Sequence, residues 1–440
     1  MSHRAVMRAL RLPVTPSRGR LAALVGVPGS ALLEGWCDDG DPWSILLPWP
    51  EEVRECRSSQ SADDWRTMLA SIESATPEIG PTCDIPFAGG WVGFVSYEAG
   101  AAHEAAIPRS DDVAEPLAFF ARHEAGLAVR GGEASIFAPS GEIELRAREI
   151  AELLDSATEV EPRIGAGKSF VLDDSLGGES YRNGVETIRG MIRDGDVYQV
   201  NLTRRLTARA ALDARAVYLA LTRDGIPRCA ALIAGGGWSI ASASPEVFLR
   251  HDRMRGVAES RPIKGTVRRR GDDPSEIGEL LGSAKDLAEH LMIVDLVRND
   301  LGKVAPPGRV TVPHFLTVRT IPHLHHLEST VRADMLGATT LAQLFDALFP
   351  GGSITGAPKR AAVAAIRALE PCARGVYTGA IGFVGVNGVS ELSIAIRTAV
   401  ITRDETRYHA GGGIVWDSDA RGEDDESRAK SLAFFRALGL

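Results

Sequence analysis

The sequence predicts an α+β fold, antiparallel β-sheets packed with surrounding helices. Strand-like and helix-like runs alternate irregularly, without the strand–helix–strand rhythm of a doubly wound sheet. The stretch from Tyr377 to Val415 reads as three antiparallel strands in succession, the first two joined through Val386-Asn387-Gly388. Finally, 440 residues with 44% hydrophobic and 24% charged side chains make an ordinary globular composition. A chain of this size buries roughly 75% of its unfolded surface, so it needs no disulfide or metal staple to fold.

Taken in order, residues 1–155 carry short strand-like runs at Trp43–Leu47 and Gly90–Tyr97, followed by an amphipathic helix over Glu142–Leu154. Residues 156–179, rich in Gly, Ser and Asp, read as a connector to a catalytic region over 180–440. There, Tyr181, Val185, Ile188 and Ile192 fall at helical spacing, and Gly195 ends that helix. The strand Val197–Leu206 follows, with Gln199, Asn201 and Thr203 on one face and Tyr198, Val200 and Leu202 on the other. A polar strand face means solvent or a wet pocket. A strand near Ser239–Arg250, a long helix over Lys285–Arg298 and a glycine-rich turn into a helix at Pro358 complete the pattern.

Net charge −9 argues against nucleic acid as the main partner, because nothing basic would collect phosphates. Five scattered cysteines without a CxxC pair (Cys37, Cys56, Cys83, Cys229, Cys372) point to a reduced, cytoplasmic chain. The apolar stretch Leu21–Leu33 is broken by Pro28 and Gly29 and is too short to span a membrane. Of 49 basic residues only six are lysines: Lys168, Lys264, Lys285, Lys303, Lys359 and Lys430. Codon bias accounts for such a skew, but so does retention of Lys where an amine must lose its proton and attack carbon.

Several patterns could carry chemistry. Asp286 and Glu289 share one helix face, and Glu423 and Glu426 repeat the spacing near the C-terminus, with Lys430 one turn on. Four carboxylates without Cys or His suit a hard ion such as Mg²⁺. Equally, Ser283-x-x-Asp286 fits a capping box and Glu426 to Lys430 a surface ion pair. Lys264 sits in a turn fixed by Pro262 and Gly265, as a nucleophile or as a plain surface lysine. Gly351-Gly352-Ser353 through Pro358-Lys359 leads into a helix whose free N–H groups could hold a carboxylate, and it lacks the Gly-Lys-Ser/Thr of a P-loop. The run Gly411-Gly412-Gly413 would let a ligand approach the backbone closely.

Together these motifs resemble the chorismate-utilising enzymes, densely from about Ser180 to Leu440. The resemblance rests on Gly195-Asp196-Val197-Tyr198-Gln199-Val200-Asn201-Leu202, Ser244-Pro245-Glu246, Glu289-His290-Leu291-Met292-Ile293-Val294-Asp295-Leu296, Arg298-Asn299-Asp300-Leu301, Gly356-Ala357-Pro358-Lys359 and Ala410-Gly411-Gly412-Gly413-Ile414-Val415 with Glu423-x-x-Glu426. The N-terminal part matches more loosely, through Leu32-Leu33-Glu34 and Gly89-Gly90-Trp91-Val92-Gly93-Phe94.

The resemblance implies the anthranilate synthase component I fold. Lys264 in Pro-Ile-Lys-Gly-Thr resembles the mark of the branch that forms 4-amino-4-deoxychorismate, on the way to p-aminobenzoate and folate. Gln199 falls where the isochorismate and salicylate synthases carry a water-activating Lys. Amination at C2, to anthranilate, is the alternative within the family; a catalytically silent chorismate-binding regulatory subunit is the alternative outside enzymes. The implied roles are Lys264 as nucleophile at C2, Glu246 as general acid and His326 beside the C4 hydroxyl. Mg²⁺ would rest on Glu289 and Glu426, with Asp286 and Glu423 around it. Gln199, Thr266, Ser353, Tyr377, Arg397, Lys430 and the Gly411, Gly412 and Gly413 amides would hold substrate. If Tyr377 and Arg397 share a pocket, a three-residue Val386-Asn387-Gly388 turn is favoured, because it sets the two opposite each other. No Gly-x-Cys-x-Gly motif appears, so a separate glutamine amidotransferase subunit would supply ammonia. Trp43-Ser44 resembles part of the family's tryptophan pocket, with Gly35 where Ser is often found, which leaves tryptophan binding open. Glu328 stands where the family usually has an apolar residue, and Gly412 where it usually has Ala.

Overall fold

The computed structural model describes residues 7–38, 40–57, 64–76, 84–105, 113–162, 171–269, 274–321, 324–335 and 339–439. Cys83, Lys168 and residues 163–170 of the expected connector lie outside them.

Two large antiparallel sheets face each other. Among the described residues the first has 12 strands and runs from Met7–Arg11 through Ala31–Gly35, Cys229–Ala234 and Trp238–Ser244 to Thr406–Ile414 and Gln199–Ala208. The second has 10 and includes Ile263–Arg268, Leu324–Asp334, Val247–Asp252, Ala380–Gly385 and Gly90–Val95. Side-chain alternation divides each strand between two cores. In Ala31–Gly35, Leu33 enters the inter-sheet core with Phe94, Phe119, Trp238 and Phe383, while Leu32 joins an outer core under the helices. The helices Ile143–Ser156, Ala214–Leu221 and Ala420–Leu438 cover the first sheet, and Asp64–Ala75, Ala284–Gly302 and Leu341–Leu348 cover the second. The architecture is mixed α+β in layers: helices, sheet, sheet, helices.

Both sheets draw strands from each side of residues 156–179. Ala31–Gly35 pairs with Cys229–Ala234, and Gly90–Val95 with Ala380–Gly385. The N-terminal stretch therefore shares its cores with the rest of the chain.

Local readings from periodicity hold well. The helix Gly178–Asp194 buries Tyr181, Val185 and Ile188 and ends on Gly195 in the left-handed region. Two readings need correction. The single strand expected near Ser239–Arg250 is two, Trp238–Ser244 and Val247–Asp252, in different sheets. Pro245, which has no N–H to give a ladder, stands at the break. The three strands expected over Tyr377–Val415 are four, with Ala380–Gly385 and Val389–Ile394 in one sheet and Thr398–Thr402 and Thr406–Ile414 in the other. The chain crosses between sheets at Arg397, whose φ is 51°, a strained value for a residue with a Cβ.

The hairpin between Ala380–Gly385 and Val389–Ile394 pairs Val384 with Ser390, which leaves a Val386-Asn387-Gly388 turn with Gly388 at φ 80°. This is the three-residue turn. The ladder stops at Ala380↔Ile394, so the placement of Tyr377 and Arg397 is set beyond it by positive φ at Thr378 and Arg397.

Candidate active site

The candidate site lies where strands Gln199–Ala208 and Thr406–Ile414 of the first sheet meet the bulged strand Ile263–Arg268 of the second and two acidic helices. The glycine run pairs with the polar strand, Asn201↔Gly413, Leu202↔Gly412 and Thr203↔Gly411. A Cβ at Gly413 would stand 3.0 Å from Gln199 Nε2 and 3.5 Å from Lys264 Nζ. At Gly412 it would stand 3.0 Å from Glu423 Oε2 and 3.9 Å from both Glu426 Oε1 and Lys430 Nζ. Glycine is needed here for space. The polar strand face is buried rather than open to solvent: Gln199, Asn201 and Thr203 are buried, and Gln199 Oε1 has no hydrogen-bond partner. A buried acceptor without a donor costs on the order of 1–3 kcal/mol, which a ligand N–H or O–H would recover.

Lys264 points into this space. Its Nζ lies 2.5 Å from Glu289 Oε2 on the helix Ala284–Gly302. From the helix Ala420–Leu438, Glu423 accepts from Lys285 Nζ at 3.3 Å and from Ser418 at 2.7 Å. Lys430 Nζ reaches Glu426 at 2.7 Å and donates to the Gly411 carbonyl at 3.0 Å. Burial opposes ionisation of Glu426, but Lys430, with Lys264 and Lys285 behind it, holds its pKa below the ordinary value. Asp286 packs beside Gly265, and its N–H donates to the Ser283 hydroxyl, which is the Ser283 half of the expected capping box.

These carboxylates form an all-oxygen donor set suited to Mg²⁺. Glu289 Oε2 is buried without an aligned hydrogen bond, its ion contact with Lys264 aside, and so keeps lone pairs for a cation. As arranged, no three His, Cys, Asp or Glu side chains among the described residues form a ready metal cluster. Lysine ammoniums hold the acids instead, Lys285 bridging Glu423 at 3.3 Å and Glu289 at 3.9 Å.

Glu246 enters from the bend after Pro245. It is buried, and its pKa is pushed up to about 7 by desolvation, against the opposing pull of the Ser353 hydrogen bond and the Lys264 charge. Ser353 Oγ donates to Glu246 Oε1 at 2.8 Å, so the residue expected to touch substrate holds the candidate acid. Buried Glu328 raises the Glu246 pKa further and itself pairs with Arg319 at 3.1 Å.

His326 lies across the ladder from exposed Thr266, and burial with the Arg397 charge lowers its pKa to about 4. It is a neutral hydrogen-bonding group at pH 7. Among the described residues no hydrogen bond or ion pair engages the Arg397 guanidinium, whose pKa burial lowers. An unpaired, desolvated guanidinium is a strong carboxylate anchor. Tyr377 is buried with its ring stacked on His409 at 4.8 Å, and burial drives its hydroxyl pKa well up.

Five of the six lysines fall within the described residues, and all five engage carboxylates here or just behind. Lys359 and Lys303 grip buried Asp300 at 2.8 and 2.7 Å, on the wall of a small pocket that Glu246 and Ser353 also line. Sequence reading missed Arg374. This buried guanidinium donates to Glu370, to the Ile354 carbonyl at 2.9 Å and to the Asn201 carbonyl at 2.8 Å, tying the glycine-rich turn to the polar strand. The Glu370–Arg374 spacing was the available signal. At the N-terminus, Glu34 accepts from Arg18 at 2.9 Å, Ser44 at 2.7 Å and Tyr218 at 2.6 Å, so the chain's own donors fill that carboxylate.

The family model described as chorismate binding enzyme matches residues 40–436. The chain belongs to this family. Among relatives of this chorismate-binding enzyme, an aminodeoxychorismate synthase component 1 of Salmonella typhimurium is 33% identical over 88% of this chain and 86% of its own length. An anthranilate synthase component 1 of Haloarcula marismortui is also 33% identical, over 90% and 85%. The solved anthranilate synthase component I of Streptococcus pneumoniae superposes with a TM-score of 0.77 at 25% identity, over 90% of this chain and 92% of that one. Among the described residues no helix of this chorismate-binding enzyme is long and apolar enough to cross a membrane.

Proposed function

We propose that the chain converts chorismate and ammonia to 4-amino-4-deoxychorismate and water. The observation that carries this reading is the Lys264 amine, standing between Glu289 and the Gln199–Gly413 wall, with the partly protonated Glu246 acid in the same site. The Salmonella aminodeoxychorismate synthase component and the Haloarcula anthranilate synthase component are equally identical to the chain, at 33%, so this amine supports the choice of C4.

Lys264 releases its proton to solvent and attacks C2 as the free amine, the ring double bond shifts, and the C4–oxygen bond breaks. Glu246 gives its proton to the departing hydroxyl, which leaves as water. Ammonia then adds at C4 and passes its surplus proton back to Glu246, the double bond shifts back and the C2–nitrogen bond breaks, releasing Lys264 as the amine. The net change is hydroxyl for amino. Arg397 and Lys430, with the glycine-run amides, orient the carboxylates, and neutral His326 hydrogen-bonds the C4 oxygen. Glu289 and Glu426, with Asp286 and Glu423, would hold Mg²⁺, which supplies positive charge against the ring carboxylate. Ammonia would come from a glutaminase or from free ammonium.

Incubation with chorismate, Mg²⁺ and ammonium, with products separated and weighed, tests the reading. The expected product is aminodeoxychorismate, which yields p-aminobenzoate only after a lyase is added. Fluorescent anthranilate as the main product, or no consumption of chorismate, would overturn it.

A further inference from the structure

We propose that His290 is a positioning residue that fixes the main chain of Lys264, and that it does so as one link in a directed chain of hydrogen bonds. In the pairing of Ile263–Arg268 with Leu324–Asp334 the register shifts between Lys264 and Thr266, and Gly265 there takes φ 81°. Such a bulge re-aims a side chain and breaks the ladder that would otherwise hold the strand. Something else must hold it.

The Lys264 carbonyl meets His290 Nδ1 at 3.4 Å, a long contact, and His290 Nε2 lies 2.7 Å from Ser329 Oγ. Ser329 Oγ accepts the Leu316 N–H at 3.0 Å, while the Ser329 N–H donates to the Pro262 carbonyl at 3.2 Å. Leu316 is itself at φ 53°, beside a second register shift between His314 and Thr317. A carbonyl only accepts, so Nδ1 carries the imidazole proton and Nε2 accepts the Ser329 hydroxyl. Every donor then points the same way, from Leu316 through Ser329 and His290 to Lys264. His290 is completely buried.

The neighbouring residue on the same helix is Glu289, which grips the Lys264 ammonium at 2.5 Å. Consecutive helix residues thus hold Lys264 at both ends, His290 by the main chain and Glu289 by the side chain. Loss of the first grip lets the bulge relax and moves the amine off its line of attack, without touching the groups that bind substrate carboxylates.

The inference rests on Lys264 as the attacking residue. The parent enzyme tests that separately: no aminodeoxychorismate from the parent sinks that reading, whereas a parent that makes it and tolerates His290 changes sinks only the positioning. The variants are His290→Asn, whose amide N–H₂ falls near Nδ1, His290→Gln, whose amide reaches toward Nε2, and His290→Phe. Loss of one buried hydrogen bond predicts that kcat falls about tenfold in His290→Gln and His290→Phe, while His290→Asn stays within about threefold of the parent. The chorismate KM should stay within about twofold throughout, because misaligned attack costs turnover rather than binding. Ser329→Ala, which leaves the imidazole but removes the hydroxyl that fixes its tautomer, should show the same loss confined to kcat. Equal kcat in the Asn and Gln variants, a change in KM alone, or unchanged kcat in Ser329→Ala would overturn the proposal. If His290→Phe does not fold, the Asn–Gln comparison and Ser329→Ala decide.

Discussion

Glu246→Gln should abolish turnover and stabilise the fold, by an amount that grows with pH. In an unfolded chain this carboxyl ionises near 4.5, whereas burial holds its proton to about 7 in the folded enzyme. Between those values the unfolded state sheds a proton that the folded state keeps. The parent therefore loses stability as pH rises through this window, and the loss is complete above about 7. A difference of about 2.5 pKa units at 1.36 kcal/mol each gives about 3 kcal/mol at pH 8, and under about 1 kcal/mol at pH 5. Glutamine is neutral at every pH, has nearly the same shape and can still accept from Ser353, so it escapes the penalty. Buried Glu98 also ionises near 7, but it is common to both proteins and cancels in the difference. Urea unfolding of parent and variant, run at pH 5 and pH 8, reads the effect directly. The stability advantage of Glu246→Gln should widen by about 2.5 kcal/mol between the two pH values. An advantage that does not change with pH, or shrinks, would refute the claim that Glu246 holds its proton near neutrality.

Lys264→Ala should lose most aminodeoxychorismate formation, with anthranilate appearing as ammonia reaches C2 directly; a variant with the parent's rate and product would remove Lys264 from the chemistry. Glu289→Gln and Glu426→Gln should each raise the Mg²⁺ concentration needed for activity by at least the roughly 10- to 100-fold that even outer-shell metal partners carry. The check is activity against Mg²⁺ concentration alongside circular dichroism, and an unchanged requirement would place the ion elsewhere. Gly413→Ala pushes a methyl to 3.0 Å from Gln199 Nε2 and 3.5 Å from Lys264 Nζ. A displacement of about 1 Å at a reacting group can cost about 100-fold, so this variant should fold and lose comparable turnover, whereas parent-like kinetics would mean the glycine run does not wall the site.

Much of the architecture was legible because it is local. Tyr181, Val185 and Ile188 at helical spacing before Gly195 specify a helix end that the backbone adopts. The acidic pairs at i,i+3 could be placed on helix faces from the sequence, and both pairs reach the site. What escaped is what long-range pairing decides. Nothing in Ser239–Arg250 says that Pro245 hands the chain from one sheet to the other, which is how Glu246 comes to face Lys264. The Ser353 hydroxyl bond to Glu246 escaped as well, because it joins residues 107 apart in sequence. Lysine scarcity was the most economical clue, since each described lysine meets a carboxylate in or behind the site.

The central claim is attack by Lys264 on chorismate, and the most direct measurement is the intact mass of the protein after exposure to chorismate and Mg²⁺ without any ammonia source. The account predicts a species heavier by chorismate less one water, mapping to the peptide that contains Lys264, absent in Lys264→Ala and discharged as aminodeoxychorismate when ammonium is added. An unmodified chain that nevertheless aminates chorismate at C4 once ammonium is supplied, at a rate no trapped adduct can explain, would contradict it.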